Sequence, residues 1–315
     1  MDAKDVWIFC EIAFKGIDYD SFTDRRVSPS AIGKKLGLDE KTVRSRVKKM
    51  ENDGFIKYYQ AMPQLGFFAF KNIDTYRFEA LNIATKHGVI KYARGLPFVV
   101  DIVDYLGNIV SISITGGSTE DIDHVATEIA NRFELLKWRL GSCSVKKPLI
   151  IPDKLDWKLI QKLRYNALAG INEISDSLSI TSRMVRYRIT KLLSSDMLRV
   201  RAIINSQKQQ GLIFYELELS VDASSRYKII SNLREIYVEH LWSVRTIAEK
   251  ILLANLFAFT LAEPEEAYVN VLKIEGVRSC SLFIFKEIVE PKRQNWMDDL
   301  IDQKIMIESK FEQNL

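Results

Sequence analysis

Apolar residues stand at positions 43, 47 and 50 and again at 185, 189 and 192. A spacing of four then three lays each set along one side of a helix. Sliding the chain on itself by 142 residues superposes Ile32 on Ile174, Leu36 on Leu178, Leu38 on Ile180, Val43 on Val185, Val47 on Ile189, Met50 on Leu192 and Ile56 on Leu198. The apolar positions agree while most polar neighbours differ, as in two copies of one packed unit whose surfaces have diverged. Asp39 and Thr181 occupy equivalent places and are good N-caps, so a helix is expected after each. A shorter helix precedes each one, buried through Ile32/Leu36 or Ile174/Leu178, with Ser28-Pro29 as cap and first residue in the first copy. Tight turns at Gly37-Leu38 and Ser179-Ile180 join the pairs.

Further upstream, residues 2–15 form an amphipathic helix (Val6, Phe9, Cys10, Ala13), echoed over 153–166 by Leu155, Leu159, Ile160 and Leu163. The offset is here 151, so the first copy carries nine extra residues, a polar surface loop holding Arg25-Arg26. After each capped helix, residues 55–60 and 198–203 alternate as strands do, with Lys57, Arg199 and Arg201 outward.

The remaining pattern gives strands at 67–72, 98–105, 109–115 and 135–145 with helices at 75–94 and 119–133. Its second version has strands at 213–221, 241–248, 251–261 and 277–289 with helices at 224–239 and 264–275. Both read as the split βαββαβ unit, and Ser118 with Asp121 makes a capping box. The fold class is therefore α+β: two winged helix-turn-helix domains (residues 1–62 and 152–205) alternating with two ferredoxin-like, RAM-like domains (63–147 and 206–290), pseudo-dimeric in one chain. Val99, Ile109, Ile112, Ile114, Leu252, Leu256, Phe257, Phe259, Phe283 and Phe285 exceed what one covered sheet face needs, so the two sheets are expected to pack face to face. Residues 146–153 read as a Pro-bounded hinge. The tail, residues 291–315, reads as a helix with Trp296, Leu300 and Ile305 on one side, folding onto its own sheet or holding a second chain.

Charge changes the picture of the two capped helices. Lys41, Arg44, Arg46, Lys48 and Lys49 fall between positions 41 and 49 without an acid, and Arg183, Arg186, Arg188 and Lys191 do the same in the second copy. A charge run is commonly just a solvated face, but a helix, a tight turn and a basic helix together make a helix-turn-helix, whose second helix enters the DNA major groove. The groove face is expected to comprise Lys41, Thr42, Arg44, Ser45, Lys48 and Lys49 in one copy and Arg183, Arg186, Tyr187, Thr190 and Lys191 in the other. Arg46, Arg188, Lys57, Arg199 and Arg201 are assigned to phosphates, which position without reading sequence. Because Lys41/Arg183, Ser45/Tyr187 and Lys48/Thr190 differ while Arg44/Arg186 is kept, two unlike half-sites sharing one step are expected.

The net charge of +4 over 315 residues is mild, so nucleic-acid affinity must come from these local surfaces. No apolar run reaches membrane-spanning length, the first residues lack a signal-peptide layout, and Cys10, Cys143 and Cys280 read as core thiols of a cytoplasmic protein.

Winged helix followed by βαββαβ resembles the Lrp/AsnC (feast/famine) transcription regulators. The matching signature is residues 38–56, then Pro63 and Leu65-Gly66; in the second copy Met184 replaces Thr42 and Ser195-Asp196 replaces Asp53-Gly54. The resemblance implies a regulator binding double-stranded DNA, written as a dimer in one polypeptide and open to further homo-oligomerisation. The family's Gly-Tyr-Asp-like turn tied to amino-acid sensing is reduced to Leu106-Gly107-Asn108, and to Glu249-Lys250 in the second copy, so effector residues stay unassigned and a small-molecule effector stays open.

Nucleotide-binding glycine motifs, HExxH and zinc-type clusters are absent, and His87, His124 and His240 are isolated. No catalytic residue, metal or cofactor is assigned, and the chain is read as a non-enzyme. The alternative is a siroheme decarboxylase-like enzyme, since those proteins resemble paired Lrp/AsnC units and place His and Arg in the cleft of the βαββαβ half. His240 and Arg245 are the residues available for that here, although side chains five apart on a strand face opposite ways.

Overall fold

Local caps set where the helices begin, and the structure, a computed structural model, describes residues 1–13, 29–148, 150–195, 197–208, 211–290, 292 and 295–313. The first half runs α1 (Ala3–Ala13), α2 (Pro29–Leu36), α3 (Glu40–Asn52), β1 (Ile56–Pro63), β2 (Asn72–Glu79), α4 (Ile83–Ala93), β3 (Val99–Tyr105), β4 (Ile109–Gly116), α5 (Thr119–Phe133) and β5 (Leu136–Ser144). The second half runs α6 (Lys154–Leu163), α7 (Ile171–Leu178), α8 (Ser182–Ser194), β6 (Leu198–Ile204), β7 (Ile213–Val221), α9 (Arg226–Ile236), β8 (Leu241–Ala248), β9 (Ile251–Ala258), α10 (Ala262–Val271), β10 (Val277–Ile288) and α11 (Trp296–Gln313). The extra loop with Arg25-Arg26, the cap Ser28, and Asp196 lie outside the described residues.

Two compact units result, and each draws on both halves of the sequence. One comprises Met1–Trp7, Asn72–Ser144 and Asn205–Pro291; the other comprises Ile8–Lys71, Val145–Ile204 and Lys292–Leu315.

The first unit is an eight-stranded antiparallel sheet in the order β5-β2-β4-β3-β10-β7-β9-β8. Tyr76, Phe78, Ile112 and Ile114 bury against α4 and α5, and Leu217, Leu219, Leu252 and Leu256 fill the corresponding second core. Each such side chain contributes roughly 1.5–3 kcal/mol by leaving water. The two halves are joined edge to edge, with Tyr105 opposite Phe285 and Val103 opposite Ile288. Simple face-to-face packing is thus corrected: the ladder between β3 and β10 fuses the sheets. The fused sheet also curls. Arg77 on β2 lies 2.6 Å from Glu216 on β7, although β4, β3 and β10 intervene. Four strand spacings of about 4.8 Å would hold those strands roughly 19 Å apart in a flat sheet. At the far edges β5 approaches β8 so closely that a Cβ on Gly141 would meet the Ile247 carbonyl oxygen at 2.2 Å.

A strand at 67–72 followed by a helix at 75–94 does not form. Leu65–Phe68 is a 3-10 turn, and the strand comes at Asn72–Glu79. The aromatic run is used in the other unit, where Phe67 and Phe68 pack on Trp157 and Phe70 on Trp296. The boundary between units accordingly falls at Lys71/Asn72 rather than at 62/63.

The second unit holds all the basic helices. Phe9 packs edge-on to Phe55 at 5.1 Å, and Ile8, Ile32, Val43 and Met50 complete that core. Trp157, Leu159, Ile160, Ile174, Val185, Ile189 and Leu192 make its counterpart. The tail helix α11 docks on α6 rather than on a sheet, burying Met297 and Ile301, with Arg164 held by Asp298 at 3.0 Å and Gln161 by Asp302 at 2.6 Å.

Candidate nucleic-acid interface

In the first module the tight turn needs a missing side chain. A Cβ on Gly33 would lie 2.4 Å from the Leu38 carbonyl oxygen, while the Leu38 N–H donates to the Gly33 carbonyl at 2.8 Å. Gly37 takes the left-handed conformation, and Asp39 caps α3 by accepting from the Thr42 N–H at 2.8 Å. The second module reaches the same turn by other means. Ser175 replaces Gly33 and donates its hydroxyl to the Ile180 carbonyl, Ser179 adopts φ 54°, and Thr181 accepts from the Met184 N–H at 3.2 Å.

Most expected groove residues are exposed: Lys41, Arg44, Ser45, Lys48 and Lys49 on α3, Lys57 on β1, and Arg183, Arg186, Tyr187 and Thr190 on α8. Thr42 is half-buried, and its hydroxyl donates to Asp39 at 2.5 Å. That hydrogen bond, with the Thr42 N–H, holds the Asp39 carboxyl below its ordinary pKa. Arg44 folds back one turn to Glu40 at 2.6 Å. Arg46 is half-buried.

Arg188 and Lys191 are not presented to solvent as free cations. Arg188 Nη1 donates to both oxygens of Asp153 at 2.8 and 2.7 Å and to Asp156 at 2.7 Å, and Lys191 reaches Asp156 at 3.3 Å. Asp153 and Asp156 are themselves the reciprocal capping box of α6. Arg188, expected at phosphate, is thus engaged in tying α8 to α6.

The strands after the basic helices also differ from two separate wings. β1 and β6 pair with each other antiparallel, Gln60 opposite Arg201 and Ala61 opposite Val200, so each satisfies the other's edge. Arg201 donates to the fully buried Gln60 at 3.0 and 3.2 Å, while Arg199 is half-buried and Lys57 exposed. The ribbon ties the two modules together, helped by the Ala61 N–H bonding the Arg164 carbonyl and the Ala167 N–H bonding the Tyr59 carbonyl.

The sheet unit contains a polar constellation that sequence patterning missed. The fully buried Arg77 meets Glu216 at 2.6 Å and Glu218 at 3.0 Å and lies 3.5 Å from the Phe283 ring centre. The Tyr105 hydroxyl donates to Glu216 at 3.0 Å, and Arg245 stands 3.8 Å from Glu216. Burial raises the Glu218 carboxyl, opposed by Arg77, and burial also pushes the Tyr105 phenol well up. Charged residues spaced by two inside apolar strands were its only signal. Lys86, wholly buried, is similarly neutralised by Asp104 at 2.6 Å.

His240 and Arg245 do not converge. His240 stacks on Phe257 with Nδ1 3.0 Å from the Phe257 carbonyl and 3.9 Å from Glu263, whereas Arg245 belongs to the Glu216 cluster. Among the described residues no group of three His, Cys, Asp or Glu side chains is arranged to hold a metal, and no helix is long and apolar enough to cross a membrane.

Residues 23–57 match the winged helix-turn-helix DNA-binding family. The protein is thus of mixed α+β class with a winged helix-turn-helix DNA-binding domain. No curated protein matches the chain. Among solved structures it is similar to the siroheme decarboxylase NirDL, with 9% identity and a TM-score of 0.54 over 96% of this chain and 99% of that one. Escherichia coli AsnC is similar at 14% identity and a TM-score of 0.38, over 46% of this chain and 98% of that chain. A Pyrococcus furiosus transcriptional regulatory protein of the AsnC family is similar at 20% identity and a TM-score of 0.36, over 48% of this chain and 98% of that chain. The full-length likeness overturns the expectation that the chain is not an enzyme, because an enzyme carries this fold from end to end.

Proposed function

We propose that the protein is a sequence-specific DNA-binding transcription regulator of the Lrp/AsnC kind, built by tandem duplication as a single-chain counterpart of a dimer. The observation that carries this reading is the exposed basic face of α3, set behind a cap and a Gly33 turn, within the stretch that matches a DNA-binding family. The unit carrying α3 and α8 would then face double-stranded DNA in the cytoplasm, with the eight-stranded sheet unit as the assembly core. Lys41, Lys48, Lys49, Lys57, Arg183, Arg186 and Tyr187 are the groove and backbone contacts in this reading. Fluorescence anisotropy on genomic fragments tests it: log affinity should fall with log salt by about 0.9 per phosphate neutralised. Salt-independent or absent binding overturns it.

A second reading, a siroheme decarboxylase-like enzyme, is favoured by the fold likeness along nearly the whole chain. Against it stand the different partners of His240, which meets Phe257 and Glu263, and of Arg245, which meets Glu216. Titration with an iron porphyrin, followed in the Soret region, distinguishes the two: a saturable shift supports this reading, and its absence removes it.

A further inference from the structure

We infer that the two modules divide the work of recognition: the first grips the DNA backbone, and the second reads bases in one half of an asymmetric site. This rests on the DNA-binding reading above.

Three observations carry it. On α3 the exposed cations are mainly lysines, Lys41, Lys48 and Lys49. An ammonium is a point charge on a flexible stem, suited to phosphate but unable to fork onto a guanine edge. The arginine of that face, Arg44, has Nε and Nη2 on the same Glu40 oxygen at 2.8 and 2.6 Å.

On α8 the balance reverses. Arg186 is exposed, and the residue one turn back is Ser182, whose hydroxyl donates to Asn172, so Glu40 has no counterpart there. On the same helix, Met184 and Tyr187 stand three apart and are 42% and 69% exposed. Adjacent exposed apolar side chains suit contact with thymine methyl groups, and a free guanidinium suits guanine O6 and N7.

Backbone grip is weak in the same module. Arg188 and Lys191 are held by Asp153 and Asp156. The helix that would cross the phosphates carries Glu173 and Asp176 on α7, where α2 carries Lys34 and Lys35. Residues 29–57 hold eight basic and four acidic side chains, whereas residues 171–199 hold five and three.

The test is in-vitro selection on the full chain, repeated with two variants whose circular-dichroism melts match the parent. The unmodified chain should select two unlike halves about one helical turn (roughly 34–36 Å) or a multiple apart. Met184→Ala/Tyr187→Ala should lose preference in one half by about tenfold while leaving the salt slope unchanged. Lys41→Ala/Lys48→Ala/Lys49→Ala should keep the consensus, weaken all sequences alike, and flatten the slope by about 2.7. A palindromic consensus overturns the inference, as does an unchanged consensus in the first variant or an altered one in the second. No salt-dependent binding by the unmodified chain refutes the DNA-binding reading itself, and the inference with it.

Discussion

The Arg188 guanidinium lies 2.7 Å from the carboxylate of Asp156, a side chain with no solvent exposure. The pair joins a basic helix to the helix that opens its module, and Asp156 additionally closes the capping box with Asp153. A cation on this basic helix is here a structural clamp.

Removing Asp156 takes a buried carboxylate from Arg188 and Lys191, while Asp153 still holds Arg188. Asp156→Ala is expected to lower unfolding free energy by about 1.5–3 kcal/mol, the range for hydrogen bonds to charged groups, measured by urea denaturation. A loss under about 1 kcal/mol would show the clamp to be an ordinary surface pair.

Burial would raise the Asp153 carboxyl, but hydrogen bonds from Arg188 and the Asp156 N–H outweigh it and hold the pKa below its ordinary value. A depressed carboxylate contributes stability that is present above its unfolded pKa, near about 3.9, and is lost as pH falls through the lower folded value. Asp153→Asn should therefore be less stable than the parent at neutral pH, with the gap in urea midpoint closing as pH drops below about 4. A gap that stays constant into acid contradicts this account.

The three thiols should be inert in the folded chain. Burial, reinforced by Glu11, pushes Cys10 up to about 12; burial and Glu218 push Cys280 up to about 12; burial raises Cys143. At pH 8 alkylation by iodoacetamide, followed by mass spectrometry, should run about a hundredfold slower in the native protein than in the unfolded one. Fast labelling of any of the three would refute its placement.

Arg77 is the keystone of the curled sheet. Arg77→Ala leaves the buried Glu216 with only the more distant Arg245 and takes the cation from Glu218, and should cost about 3 kcal/mol. Arg77→Met with Glu216→Gln, which removes charge from both sides, should recover much of that. If the double variant is no more stable than the single one, the network is not what holds the sheet curled.

Helix starts, the basic stripe and most strands were legible in the chain because they rest on local rules. Asp39 and Thr181 sit next to the N–H groups they satisfy, and Val43, Val47 and Met50 share a face through backbone geometry alone. The first strand of the sheet unit was not legible. Phe67, Phe68 and Phe70 mimic a strand, but their partners Trp157 and Trp296 lie far along the chain, and Arg77 disguises the true strand by being a charge in its core. A buried guanidinium is tolerable only beside its carboxylates, and Glu216 stands 139 residues away. The same holds for Arg188: its basic sequence neighbours suggest a phosphate contact, and Asp156, brought to it by packing, makes it a tie between helices. Periodicity and caps act over a few residues and can be read from the sequence. Desolvation of a charge depends on what tertiary packing places beside it, and only the folded chain decides that.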